Sequence, residues 1–467
     1  MYEFVYSRRF VIRRFMKVAL VRPNYPTHLI TPPLGIGYIS SYLKKQGHEV
    51  RFIDGLNLNL TPDEVVEKVG DYPVVGVTVL TAFYLQAKEI TKKLKEKGKI
   101  VIWGGVHPTV LPRESMDEGG ADYAVVGEGE LTIAELISSI EHNISIEGIK
   151  GIYGKNKTTP FVPREFIKNL DELPFPDWEA MDPRKYQKAP HGALIKNFPV
   201  APVTTSRGCP YECKFCVSPR FWGRQIRFRS PENVLAEIEH LTKDFGVREI
   251  HFEDDNLTLL RPHIEKICRL ILERKIKISW ATPNGIRADK VDEDLLRLMK
   301  KAGCYYVVFG VESGNQDILD NIKKHETLAD IEKAIRLAAK VGLMTQGFFI
   351  LGLPGETEET IKNSIEFAKR VPLDRAQFLL LDLLPGSELW EEHKSELEVD
   401  YSKKSYQDIT WVPKTIDAQK LKSMQPIAFR QFFFRPRPMF KLIRYFKLSQ
   451  LKHVFNRLRD FRIFNAK

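Results

Sequence analysis

Between Lys17 and Gly154 short apolar runs alternate with amphipathic stretches: KVALVRP (17–23), EVRFID (49–54), VVGVTVL (74–80), IVIWGG (100–105) and ADYAVVG (121–127). The runs read as buried strands, and the segments between them, such as GYISSYLKKQG and AFYLQAKEITKKLKEKG, have helical spacing. Gly98 closes the second of these as a C-terminal stop. Strands alternating with helices predict a doubly wound parallel sheet over residues 16–155, with ligands at the carboxyl ends of its strands.

A proline-marked stretch, LDELPFPDWEAMDP (170–183), interrupts the pattern, and residues 156–199 read as a linker. A second alternation follows: PVTTS (202–206), EIHFED (249–254), SWATPN (279–284), YYVVFGVES (305–313), QGFFILGLP (346–354) and AQFLLLDLLP (376–385). Six βα units over residues 200–390 predict a partial (βα)6 TIM-type barrel, two units short of closure, with functional residues where strands end. Residues 391–467 lack the repeat and form a basic, mainly helical C-terminal extension.

Composition changes this picture mainly at the ends. A chain of 467 residues exceeds what one core organises. The net charge of +11 is concentrated: residues 430–467 hold eleven Lys or Arg against Asp460, and residues 1–17 hold five against Glu3. The body between them is slightly acidic. With nine aromatics among residues 430–467, the tail has three readings: it lies on an anionic membrane surface, packs on the barrel, or contacts nucleic acid. The first is favoured and the last disfavoured. No apolar run of the length a span requires occurs, and Pro436 and Pro438 argue against one. The first fifteen residues, ahead of MKVALVRPN, read as an appendage or a misplaced start. Five cysteines, none before Cys209, argue against a disulfide framework. A reducing, cytoplasmic setting is expected, peripheral at the membrane if the tail binds there.

The segment RGCPYECKFC sets Cys209, Cys213 and Cys216 in CxxxCxxC spacing after a predicted strand. Three soft thiolates on one loop suit three irons of a 4Fe-4S cubane and leave the fourth for a non-protein ligand. A zinc site normally needs a fourth Cys or His. Cys268 and Cys304 lie on apolar faces and read as core.

In that barrel context the spacing resembles the radical S-adenosylmethionine (SAM) superfamily. The resemblance implies that SAM chelates the open iron and is cleaved to a 5′-deoxyadenosyl radical, using an electron from a donor such as ferredoxin or flavodoxin. It implies an adenine-side role for Phe215. It makes Glu253, Asp254 and Asp255 of HFEDDN candidates for the SAM amino group, without choosing among them. It sets Glu312 and Ser313 of FGVESG beside ribose or carboxylate, and Gly352 of GFFILGLPGET beside adenine. Arg287 is a candidate partner of the SAM carboxylate, since guanidinium matches carboxylate two-pronged.

WGGVHPTVLP (103–112) and VVGEGE (125–130), together with PPLGIGYISSYLKKQGHEVRFID (32–54), resemble the Rossmann- or flavodoxin-like cobalamin-binding domain of cobalamin-dependent radical SAM methyltransferases. The implied contacts are Gly104, Gly105, His107 and Gly127. His107 precedes a proline and is as readily structural, and the chain has no DxHxxG sequence, so no histidine is expected on cobalt. The implied reaction is cobalamin-dependent methylation of an unactivated carbon in a small-molecule or lipid substrate, an isoprenoid being favoured by the tail. The cofactors carry this chemistry, so no catalytic acid or base is named. Cyclisation, carbon–carbon bond formation or rearrangement without methyl transfer is the alternative. A tRNA methylthiotransferase is disfavoured, because no cysteine precedes Cys209 and the tail is not strand-like. A non-catalytic cluster or metal protein is the remaining alternative.

Overall fold

A computed structural model describes residues 15–439, apart from 28, 156, 189–194, 398 and 404–406. The expected N-terminal appendage and most of the basic tail lie outside the described residues, and with them most of the expected membrane contact.

The first sheet contains β1 (Lys17–Arg22), β2 (Glu49–Asp54), β3 (Val74–Thr78), β4 (Ile100–Gly104), β5 (Tyr123–Val125) and β6 (Ile152–Gly154). Its order is β2-β1-β3-β4-β5-β6, parallel throughout except for β6, which runs antiparallel to β5. Helices cover both faces, which is why β1 and β3 are almost wholly buried and read as continuous apolar runs. The chain leaves β1 toward β2 on one side and returns to β3 on the other, so a crevice opens beyond the carboxyl ends of β1 and β3.

Residues between the sheets are packed against both. Trp178 and Met181 enter the core of the second unit, and the Trp178 indole donates to Glu237 at 3.0 Å. Gly37 faces this strap, and a Cβ there would meet the Met181 methyl at 2.2 Å. The predicted linker is therefore a fitted segment, because its apolar residues find partners the linear pattern does not reveal.

The second sheet follows with β7 (Val200–Val203), then a two-residue ladder of β8 (Ser206–Arg207) and β9 (Arg227–Phe228) outside the main sheet. It continues with β10 (Glu249–Phe252), β11 (Ser279–Ile286), β12 (Cys304–Glu312), β13 (Met344–Leu351) and β14 (Arg375–Leu380). The six main strands are parallel in the order β14-β13-β12-β11-β10-β7, the open barrel expected from six βα units. Ser230, Asp292 and Thr357 cap the helices that follow them through side-chain oxygens, fixing where each crossover begins.

The described start of the basic tail packs on the barrel. Helix Ala418–Phe433 lies along β14 and buries Leu421, Met424, Ala428, Phe429 and Phe432. Phe429 meets Phe378 edge-on at 5.6 Å, and Gln425 donates to the Phe378 carbonyl at 2.8 Å. Of the three readings of the tail, packing holds for this part, because an open sheet edge offers its aromatics a dry partner.

Candidate active site between the two sheets

The cysteine loop begins where β7 ends. Asp254, fully buried beyond β10, accepts from Thr205 N (3.0 Å), Thr205 Oγ1 (2.8 Å) and Ser206 Oγ (2.6 Å). Burial pushes its carboxyl up to about 6, against these hydrogen bonds. Gly208 then turns the chain at φ +104°, with its α-carbon so close to Gln225 that a Cβ would lie 2.6 Å from that carbonyl oxygen. Cys216 N donates to the Cys213 carbonyl at 3.0 Å, closing the turn between the last two cysteines. Lys214 N donates to Ile322 O, and Leu389 N donates to Lys214 O, so two barrel loops hold the cysteine loop by its backbone.

All three cysteines are half-buried. Burial raises the thiols of Cys209 and Cys213 and pushes Cys216 up to about 12. Thiolates here therefore need a cationic centre, and a cluster's irons would supply it. Among the described residues no three His, Cys, Asp or Glu side chains converge on one metal-ion position. A cubane gives each thiolate its own iron and requires no such convergence.

Behind the loop, the Arg287 guanidinium donates to Asp289 (2.9 Å) and to the carbonyls of Lys324 (2.8 Å) and His325 (2.6 Å). Sequence reasoning offered Arg287 to a nucleotide carboxylate, but three of its donors already serve the protein. A second buried cation, which the sequence did not single out, is Lys324, whose Nζ lies 3.0 Å from Glu312 Oε1 and 3.4 Å from Glu326 Oε2. Burial works against the charge of Lys324, but these carboxylates outweigh it and raise its pKa. Glu312 stands at φ +61°, strained for a non-glycine residue, at an irregularity in the β12–β13 pairing. Gly310 makes room for the pair, since a Cβ there would meet Glu312 Oε1 at 2.5 Å and Lys324 Nζ at 2.9 Å.

The other candidates separate into two groups. Asp255 accepts from Ser218 Oγ at 2.6 Å, and with Glu253 it stands on a cavity wall. Phe215 is half-buried against the barrel core. Ser313 is enclosed, with its hydroxyl 3.3 Å from that of Ser364. Gly352 N donates to Glu356 Oε2 at 2.7 Å, so that amide serves its own turn.

The cavity holds about 1260 Å³ of space, counting its open mouth, at the carboxyl ends of β1, β3, β4 and β5. Gly104, Gly105 and Gly127 are on its walls. At Gly105, φ is +105° and a Cβ would crowd the Val79 carbonyl at 3.0 Å. From the barrel side Thr204, Ser206, Arg207, Phe221 and Trp222 close it, together with Glu253 and Asp255. His107 is not on this wall. Its ring is fully buried beside Tyr84 and Tyr401, 3.3 Å from Thr81 Oγ1 and 3.5 Å from Glu114.

The two halves meet through buried charge. Arg207 Nη1 donates to Glu128 Oε1 at 2.8 Å and Nη2 to Glu130 Oε1 at 2.7 Å, while Arg227 shares Glu128 at 2.8 Å. All four side chains are buried.

Comparison with known proteins matches these halves separately. Residues 203–368 match the Radical SAM superfamily and residues 27–137 the B12 binding domain. An uncharacterized methyltransferase of Pyrococcus horikoshii is 33% identical over 92% of this chain and 95% of its own length. The chain belongs to the cobalamin-binding branch of the radical SAM superfamily. Further relatives are a cytidylyl-2-hydroxyethylphosphonate methyltransferase of Streptomyces wedmorensis, 29% identical over 90% of each chain, and an anaerobic magnesium-protoporphyrin IX monomethyl ester cyclase of Rubrivivax gelatinosus, 30% identical over 90% of this chain and 77% of that one. The solved radical SAM methyltransferase TsrM of Kitasatospora setae, with cobalamin and a 4Fe-4S cluster bound, shares the fold at TM-score 0.70 and 21% identity, over 91% of this chain and 86% of that one.

This chain is therefore an enzyme of the cobalamin-dependent radical SAM methyltransferase type, and its cofactors are a 4Fe-4S cluster, SAM and cobalamin. Among the described residues no helix is long and apolar enough to cross a membrane.

Proposed function

We propose that this enzyme methylates an unactivated carbon, with residues 16–155 holding the corrinoid and residues 200–390 holding cluster and SAM. The observation that carries the reading is the shared wall: glycines at the carboxyl ends of the first sheet and residues flanking the cysteine loop line one cavity. When bound, the cluster and SAM supply a carbon radical on the substrate, and the corrinoid supplies the methyl group. Cys209, Cys213 and Cys216 bind iron. Lys324, held between Glu312 and Glu326, orients the SAM carboxylate as a point charge, and Arg287 braces the loop from behind. Asp255 and Glu253 face the cavity side, where polar SAM groups approach. Gly104, Gly105 and Gly127 let backbone approach the corrinoid.

The acceptor is a small apolar molecule of the lipid or isoprenoid class, delivered to the inner face of the barrel. Phe348 and Leu379 support this reading, since they remain half-exposed there while alternate residues Phe349, Leu351 and Phe378 are buried in the outer core. The electron comes from a ferredoxin or flavodoxin. A cyclisation without methyl transfer is the second reading, and similarity to the Rubrivivax gelatinosus cyclase favours it.

Anaerobic reconstitution of the full chain with cobalamin, SAM, reductant and isoprenoid lipids separates the two. Methylation gives S-adenosylhomocysteine beside 5′-deoxyadenosine and a methylated lipid. Turnover that yields 5′-deoxyadenosine and no S-adenosylhomocysteine sinks the methyl-transfer reading. Cys213→Ala is expected to abolish SAM cleavage, and retained cleavage would refute its place as an iron ligand.

A further inference from the structure

Arg207 belongs to two sites at once. Its guanidinium is part of the cavity wall, where Tyr38 and Trp222 hold its faces at 4.9 and 5.2 Å from their ring centres. Its backbone is the last residue of β8, and only Gly208 separates it from Cys209. Gly208 packs closely against Gln225, where a Cβ would lie 2.6 Å from the carbonyl oxygen, and Cys209 N points back to Gly223 O at 3.5 Å. The carboxylates that hold Arg207 come from the other domain, Glu128 in the loop after β5 and Glu130 at the start of helix Glu130–His142, and both line the far wall of the same cavity.

We infer that Arg207 is a positioning residue through which an occupied corrinoid cavity tightens the SAM site, by way of the Glu128–Arg207–Glu130 bridge. This rests on the corrinoid filling that cavity, as proposed above. The physical cause is packing. The bridge is already buried, but Arg207, Glu128 and Glu130 all stand on the cavity wall, and a corrinoid filling that space removes the room into which these side chains could shift and so narrows the position of the guanidinium. The backbone of Arg207 then holds the start of the cysteine loop more narrowly, and less ordering remains to be done when SAM binds. By linkage the effect is mutual: SAM tightens corrinoid binding by the same factor.

The test uses the full chain with its cluster reconstituted, with and without hydroxocobalamin, in wild type, Glu130→Gln and Arg207→Lys. Glu135→Gln is the control, an exposed carboxylate of the same domain paired with Arg164 away from the cavity. The readouts are the electron paramagnetic resonance change on adding SAM to the reduced cluster, the SAM KM and kcat for 5′-deoxyadenosine release without acceptor, and corrinoid retained on desalting. In wild type and Glu135→Gln, corrinoid lowers the SAM KM by about fivefold or more, and SAM raises corrinoid retention. In Glu130→Gln the cluster still forms, but corrinoid no longer shifts either the KM or the SAM-dependent signal. Arg207→Lys, which keeps the charge and loses the two-pronged grip, retains only part of the shift. A wild-type KM and signal indifferent to corrinoid that does bind, or a Glu130→Gln variant coupled like wild type, overturns the inference. Wild type that binds no corrinoid at all fails the reading beneath it. Thermal unfolding of each variant shows whether a loss of coupling is a loss of fold, and variants matched to wild type in stability decide the matter.

Discussion

The Arg287 guanidinium lies 3.7 Å from the centre of the Tyr211 ring, within the cysteine loop. A cation on an aromatic face in a buried setting contributes on the order of 2 kcal/mol, and hydrogen bonds from a charged donor to carbonyls contribute about as much each. Tyr211 lies between Cys209 and Cys213, so this contact sets the loop against the barrel before any iron is bound.

Replacing that cation should therefore loosen the loop. Arg287→Met is expected to lower iron and sulfide per chain after reconstitution, and to reduce unfolding stability by about 2–4 kcal/mol. Denaturant titration and metal analysis measure the two effects. A variant with full cluster content and unchanged stability would show that the stack does not hold the loop.

Gly310→Ala places a methyl group where Glu312 and Lys324 now meet. The pair must shift from its present position, and the SAM KM is expected to rise by about tenfold while cluster content stays at the wild-type level. Isothermal titration with SAM checks it. An unchanged affinity would remove Lys324 from the SAM site.

Glu356 is buried under Gly352 and Leu353, and burial pushes its carboxyl up to about 8 despite their two N–H donors. A free glutamate titrates near 4.3, so between that value and 8 the folded chain binds a proton that the unfolded chain has released. Stability from this group is then fully present below the unfolded pKa, falls as pH rises across that window, and levels off above 8. Glu356→Gln is expected to flatten the slope and to exceed wild-type stability at pH 8.5 by on the order of 3 kcal/mol. Denaturation midpoints from pH 5 to 8.5 measure it; parallel curves for the two proteins would contradict the assignment.

Phe432 is wholly buried between helix Ala418–Phe433 and the edge strand β14. Phe432→Ala should cost about 3–5 kcal/mol of stability, as expected for an aromatic removed from a close-packed core. Urea unfolding tests it. A loss below 1 kcal/mol would return this helix to a surface role.

The order of strands and helices was legible because doubly covered strands such as β1 and β3 are apolar on both faces and stand out as runs, while edge strands such as β2 and β14 still carry a two-residue alternation. β6 escaped notice because three residues, Ile152–Gly154, carry no period. β11 runs past its predicted end to Ile286, where Gly285 at φ +100° lets an irregular strand continue. The cysteine spacing was legible for a chemical reason: three ligands to one cubane lie on one loop, and a loop is contiguous sequence.

The remaining parts of the site were not. Arg207 meets Glu128 and Glu130 from 79 and 77 positions away, and nothing local distinguishes these charges from solvated ones. His107 was readable as a cobalamin contact or as a structural residue, and only the fold shows that it lies in a box completed by Tyr401. Arg287 was a candidate for the SAM carboxylate, and only the folded backbone shows that it also holds the carbonyls of Lys324 and His325. The sequence by itself determined two βα series, a thiolate loop and the family's cofactors, since periodicity and ligand spacing are local properties. Only the tertiary structure decided which charges are buried together, which glycines face a cavity and which aromatics are covered, because burial depends on what the distant chain brings alongside.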